Sequence, residues 1–364
     1  MATIVVKIGS SSITDERGEI AVPALVKLCA EMASLRSSGH RVVLVTSGAI
    51  AAGLPALGLT RAATPDITTL QAVSAVGQSR LMRVYDDLLA GHGLVAGQIL
   101  IAPLDFMERS QYLHARSTLG RLLELGVVPV VNENDAIADD EIRFGDNDRL
   151  AALVAHLVAA DLLVLLTDHA GLFTADPRLD ASASLIEEII EVDAELEALA
   201  GSGGTDRGSG GMASKLAAAK IAAWSGVRAV IAAAGRPDVL AEAVAGVAGV
   251  GTVLHPRPRR LPARKLWIAF AVGSSGTVVV DDGARRALVE RNVSLLPAGV
   301  KAVHGRFQAD DAVEVADEAG RVFAKGLVRL DATLLHELAG SRTADLPDGV
   351  PHEVIHRDDL VLLP

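Results

Sequence analysis

"LAALVAHLVAADLLVLLT", residues 150–167, is the longest apolar run in the chain. A membrane span needs about 20 uninterrupted apolar residues, and this run is broken by His156 and Asp161. It reads instead as a helix over 148–159, a turn, and a strand "DLLVLLT" at 161–167. Both faces of that strand are apolar, as expected of a strand covered by helices on two sides. The unit recurs along the chain. "TIVVKI" (3–8) precedes a helical pattern at 22–37, and "RVVLVT" (41–46) precedes "SGAIAAG". "GQILIA" (97–102) precedes a helix at 109–124, "VVPVV" (127–131) ends in the loop "NENDAIADDE", and "VRAVIAA" (227–233) follows a helix near 213–224. Alternating β and α elements predict an α/β fold with an open, mainly parallel sheet sandwiched by helices. Ligands of such sheets bind at the carboxyl ends of the strands. Polar clusters fall at those ends: after Ile8, Val45, Val131 and Leu166.

The bulk numbers agree. The chain has 364 residues, half of them hydrophobic but only 3% aromatic, so Ala, Val, Leu and Ile must build the core. A net charge of −11 speaks against a general nucleic-acid or acidic-membrane surface. Cys29 is the only cysteine, which excludes an intramolecular disulfide and fits a cytoplasmic, soluble protein. The start, "MATIVVKIGSS", has no long apolar signal core. The pattern changes near residue 256. "HPRPRRLPARK" (255–265) reads as a Pro/Arg-rich linker, and short strands with Gly turns follow, "SGTVVVDDGARRAL" (275–288) among them. The expected division is a catalytic domain at 1–256, a linker at 257–272, a small mostly-β domain at 273–351 and a C-terminal tail at 352–364.

Five constellations carry chemistry. In "VVKIGSSSIT" (5–14), a strand ends at Lys7 and a Gly-Ser loop with Gly9 and Ser10. It is either a phosphate cradle or a plain strand-to-loop turn. In "RGSGGMASKLAAAKIAA" (207–223), a Gly-rich loop feeds a helix from Met212, so Lys215 sits in the first turn. A cation there opposes the helix macrodipole unless a bound phosphate reverses the sign. The spacing is neither a Walker A nor a dinucleotide fingerprint. "LLTDHAGLFTADP" (165–177) opens a buried strand into Thr167 and Asp168, which suits a nucleoside or ordinary turn chemistry. Ser47 and Gly48 follow a strand and start a helix, a place for a carboxylate or a cap. "VVNENDAI" (130–137) and "FGDNDRL" (144–150) bring Asp135, Asn147 and Asp148 toward one edge, for a cationic amino group, a metal, or caps alone.

In order over some 215 residues stand "VVKIGSSSIT", "VTSGAIAAG", "AVGQSRLM", "VVNENDAI", "GDNDRLAALVA", "LLTDHAGLFTADP" and "GSGGMASKLAAAKIA". With these motifs the chain closely resembles the bacterial glutamate 5-kinases of the amino acid kinase superfamily. "GTVVVDDGARRAL", "SLLPAGV" and "HRDDLVL" resemble the PUA domain that many of these kinases carry. The resemblance implies ATP-dependent phosphorylation of the γ-carboxylate of L-glutamate to L-glutamyl 5-phosphate, the first step of proline biosynthesis. It implies Mg²⁺ as cofactor, proline as feedback inhibitor, and a homo-oligomer. Under it, Lys7 and Lys215 carry transition-state charge, and Asp148 orients them. Ser47, Asp135 and Asn147 hold glutamate. Lys7, Gly9, Ser10, Thr167, Asp168 and the loop Ser209, Gly210, Gly211, Met212, Ala213, Ser214 and Lys215 hold ATP. No separate protein metal site is implied. Ser209 stands where Thr is common in the family, and the hydroxyl is kept. A related kinase with another carboxylate substrate is one alternative. An RNA-binding protein acting through the PUA-like part is another. Residues 273–364 carry 15 Asp and Glu against 10 Lys and Arg, and RNA binding wants a basic face.

Overall fold

The computed structural model describes residues 1–363 except 16–18, 61–65, 103–104, 107–108, 138–146, 178, 181, 202–210, 258–259 and 348. The chain divides into two units, Met1–Arg260 and Leu261–Pro364.

In the first unit, among the described residues, eight strands form one sheet. They are β1 (Thr3–Ile8), β2 (Arg41–Val45), β3 (Ala96–Ile101), β4 (Val128–Glu133), β5 (Leu162–Thr167), β6 (Glu188–Ile189), β7 (Arg228–Ala233) and β8 (Thr252–Leu254). The order is β3-β4-β2-β1-β5-β7-β8-β6. Neighbours run parallel except β7 with β8. β1 is central: Lys7 stands opposite Val45 on one side and Leu165 on the other. The carboxyl ends of β1, β2, β4 and β5 therefore share one edge, where the sequence places its polar clusters. β5 is buried throughout and β1 almost so. β3 is mostly half exposed because it is an edge strand, so the expectation of two covered faces does not hold there.

The helices Val22–Ser37, Ile67–Ala90, Arg109–Glu124, Asn147–Leu157 and Met212–Trp224 connect the strands. Asn147–Leu157 buries nearly its whole surface. A helix apolar all round belongs inside a protein, which explains the long apolar run. Among the described residues no helix is long and apolar enough to cross a membrane. One packing detail positions the site. The short helix Ala49–Gly53 lies directly on Ile67–Ala90: a Cβ on Gly77 would come within 1.7 Å of the Ala49 carbonyl oxygen. Only glycine permits that approach, and it seats the Ser47–Gly48 corner against the long helix.

In the second unit, β9 (Gly276–Val280), β10 (Val300–Gly305), β11 (Ala312–Ala316), β12 (Val322–Val328) and β13 (Ile355–Leu362) form a sheet in the order β10-β9-β11-β12-β13. Its core includes Val278, Phe307, Val313, Val328, Leu335 and Ile355. Three segments differ from their sequence reading. Residues 263–271, read as linker, are helical and belong to this unit. β13, read as tail, is hydrogen-bonded to β12, and Ile355, Leu360 and Val361 bury their side chains in it. "DDGARRAL" is not strand but the start of helix Asp282–Arg291, capped by the Asp281 carboxylate on the Ala284 N–H.

Candidate active site

The buried helix Asn147–Leu157 begins at the shared sheet edge, and its first two residues make two different sites. Asp148 is fully buried. Lys7, from the end of β1, puts Nζ 2.5 Å from Asp148 Oδ1. Lys215, in the first turn of Met212–Trp224, puts Nζ 3.1 Å from Oδ2. The Ser214 hydroxyl donates to the same Oδ2 at 3.0 Å. One carboxylate thus spaces two ammonium groups, which are 2% and 6% exposed. Two buried ammonium groups converging on one carboxylate make a place suited to a polyanion. The Gly9 backbone closes one side, since a Cβ there would lie 3.5 Å from Lys7 Nζ. Ser10 follows as the first residue of a one-turn helix, Ser10–Ile13.

Asn147 faces neutral groups. Its Nδ2 lies 2.5 Å from the Thr46 carbonyl, 2.7 Å from Asn132 Oδ1 and 3.0 Å from Ser47 Oγ. Gly48 follows with φ +96°, a left-handed conformation that glycine adopts without strain. Asp135 lies two residues beyond the end of β4 and is half buried.

On the far side of β1, Thr167 Oγ1 donates to Asp168 Oδ1 at 2.9 Å. Asp168 and Thr167 line a cavity of about 340 Å³ together with Ser11, Ser12, Lys27 and Glu31. His169 begins a second, smaller recess, walled by Leu172, Phe173, Pro177 and Met212. Gly211 caps the helix, and its carbonyl, 2.9 Å from Ser214 Oγ, is the alternative acceptor for that one hydroxyl proton, while Ala213 is exposed. Ser209 and Gly210 lie outside the described residues, as does Asp146.

Residues 2–233 match the amino acid kinase family, and residues 276–350 match the PUA domain. A glutamate 5-kinase from Herpetosiphon aurantiacus is 45% identical over 98% of this chain and 97% of its own length. One from Frankia casuarinae is 47% identical over 99% and 96%. The chain belongs to the glutamate 5-kinase branch of the amino acid kinase family. Among solved structures, a carbamate kinase from Giardia lamblia aligns with TM-score 0.51 at 16% identity, covering 70% of this chain and 99% of that one. An isopentenyl phosphate kinase aligns with TM-score 0.50 at 20% identity, covering 69% and 99%. These show that the amino acid kinase fold outlasts sequence likeness.

Within this glutamate 5-kinase family member, the structure joins Lys7, Asp148, Ser214 and Lys215 in one cluster and Ser47 with Asn147 in another. Sequence reading missed Asn132, Thr46 and Gln78, all buried at the same edge. A signal for Asn132 existed: it is a buried amide inside strand β4, and a buried polar group needs partners. No signal in the sequence pairs it with Gln78, which lies 54 residues away.

Proposed function

We propose that this chain transfers the terminal phosphoryl group of ATP to the γ-carboxylate of L-glutamate, giving L-glutamyl 5-phosphate for proline synthesis. The observation that carries the reading is Asp148 held between Lys7 and Lys215 at 2.5 and 3.1 Å. A γ-carboxylate has a pKa of about 4.3, so near pH 7 it is already a nucleophilic anion and needs no general base. Its obstacle is repulsion from the triphosphate. Two ammonium groups flanking the transferred phosphoryl answer that obstacle, because phosphoryl transfer depends chiefly on positioning and charge stabilisation. Asp148 keeps the lysines apart and aimed. It does not touch the reacting atoms in this reading.

Asn147, Ser47 and Asp135 hold the amino acid end of glutamate. Gly9, Ser10, Thr167, Asp168 and residues 209–215 hold ATP, and the apolar recess beside Met212 supports a place for the base. In kinases Mg²⁺ is commonly held largely by phosphate oxygens, and the paired ammonium groups on Asp148 mark where such phosphates would lie. When bound, the ion would neutralise phosphate charge beside the lysines. Proline, sharing the α-amino and α-carboxylate groups of glutamate, would compete at the amino acid end. A cytoplasmic homo-oligomer completes the reading.

A coupled ADP-release assay across glutamate, acetylglutamate, aspartate and UMP tests it. Glutamate is expected to give turnover at least tenfold above the others. Equal or greater turnover with any other acceptor would overturn the substrate assignment.

A further inference from the structure

The motif "AVGQSRLM" (75–82) has no role in the chemistry above. Gly77 is the close-approach residue of the helix Ile67–Ala90. Its neighbour Gln78 is 7% exposed and starts a chain of amides. Gln78 Nε2 donates to Gln98 Oε1 at 3.3 Å, and Gln78 Oε1 accepts from Asn132 Nδ2 at 2.8 Å. Asn132 Oδ1 accepts from Asn147 Nδ2 at 2.7 Å and from the Glu133 backbone N–H at 2.9 Å.

The last bond removes the ambiguity of amide orientation. A side-chain amide can be turned end for end, but a backbone N–H can only donate. Asn132 must therefore present its oxygen to Glu133, which turns its nitrogen toward Gln78. Gln78 must answer with oxygen. Asn147 must then donate to Asn132, and the Thr46 carbonyl, an obligate acceptor, demands the same. We infer that Gln78 is a positioning residue that locks, through Asn132, the Asn147 carboxamide with its nitrogen on the protein and its oxygen offered to a cationic ammonium group. The inference rests on the reading that Asn147 holds glutamate. A second side chain of the same helix supports the other acceptor. The Tyr85 hydroxyl lies 2.8 Å from Thr46 Oγ1, both fully buried. Gln78 and Tyr85 are seven residues apart and so share a helix face. Gln98 ends the chain at an exposed position, where water can replace it.

The dry part of the relay is the part that specifies. With an apolar side chain at 78, Asn132 Nδ2 loses its buried acceptor. The Glu133 N–H and the Thr46 carbonyl still set the sense of the two amides, so what is lost is the rigidity with which Asn132, and through it Asn147, is held toward the ligand.

The test is steady-state kinetics on the full chain with Gln78→Met, Gln78→Glu and Asn147→Ala, with melting temperature read alongside. Methionine keeps the volume and removes the acceptor. The KM for glutamate is expected to rise about tenfold, the worth of one well-placed hydrogen bond, with the KM for ATP within twofold. Glutamate at 78 keeps both shape and acceptor and should hold the KM for L-glutamate within about threefold of the parent. That variant stands alone as the test should Gln78→Met fail to fold. A common rise of both KM values in Gln78→Met, an unchanged KM for glutamate, or a Gln78→Glu as impaired as Asn147→Ala would each overturn the relay. If Asn147→Ala itself leaves the KM for glutamate unchanged, the assignment of the substrate site fails, and the relay with it.

Discussion

Asn147 and Asp148 are consecutive residues at the head of one buried helix, yet they organise opposite kinds of site. Asp148 sits among polar and charged groups: two lysines and a hydroxyl. Asn147 sits among neutral groups: a carbonyl, a serine and an amide. The difference teaches how labour is divided at this sheet edge. Ionic groups stabilise developing charge but are indifferent to small rotations. Neutral amides contribute little charge but are strict about which atom faces where. A kinase acting on an amino acid needs both, and in the proposed reading one helix start supplies them.

The sharpest way to break the comparison is to remove its charge. Lys7→Ala and Lys215→Ala should each lower kcat by at least on the order of 10²–10³, the loss seen for one deleted electrostatic donor. The KM for glutamate should move far less, since this charge counts most in the transition state. Near-normal turnover in either variant would refute the assignment. Asp148→Asn should lower kcat and also stability. Losing one partner of a buried ionic cluster costs about 3–5 kcal/mol, read as a lowered midpoint in urea unfolding.

The neutral arm should respond in binding. Asn147→Ala and Asp135→Ala are expected to raise the KM for glutamate while ATP binding stays within twofold. A collapse of ATP affinity at constant KM for glutamate would mean that the two arms have been exchanged.

Both arms lie within Met1–Arg260. The second unit has its own core, and domains with their own cores can fold alone. A chain ending after Arg260 should therefore fold and still release ADP on addition of glutamate, with proline inhibition and oligomer size as the properties that shift. A monodisperse truncated protein that binds ATP without glutamate-dependent turnover would show that the second unit shapes the site.

The smallest expected effect comes from the other end of the same helix. His156 is held down to a pKa of about 4, by burial first and then by the charges of Arg260 and Arg116. Its unfolded value is near 6.5. It is therefore neutral in the fold and charges on unfolding in acid. Stability is fully present above about pH 6.5 and falls as pH drops toward 4, by about 3 kcal/mol at most. His156→Gln should flatten that part of the melting-temperature profile and leave the KM for glutamate alone.

The strands, the layered α/β class and the two clustered lysine motifs were legible in the residues. Apolar periodicity and glycine placement are local, and the ends of β1, β2, β4 and β5 announce themselves by a change from Val, Ile and Leu to Lys, Ser, Thr or Asn. The family motifs added the expected roles of Lys7, Asp148 and Lys215. Three things were decided only by the tertiary structure. One was that "HRDDLVL", PUA-like in its motif but placed in a tail by the domain division, is a strand hydrogen-bonded to β12, because composition says nothing about an edge strand's partner. Another was that "DDGARRAL" turns helical behind an Asp281 cap. The third was the amide relay. Gln78, Asn132 and Asn147 are spread over 70 residues, and what brings them together is the order β4-β2-β1 and the glycine contact beneath the long helix. A sequence states which groups are polar. Which of them must donate and which must accept is set only when the register places a backbone N–H, with its fixed polarity, beside the first amide of the chain.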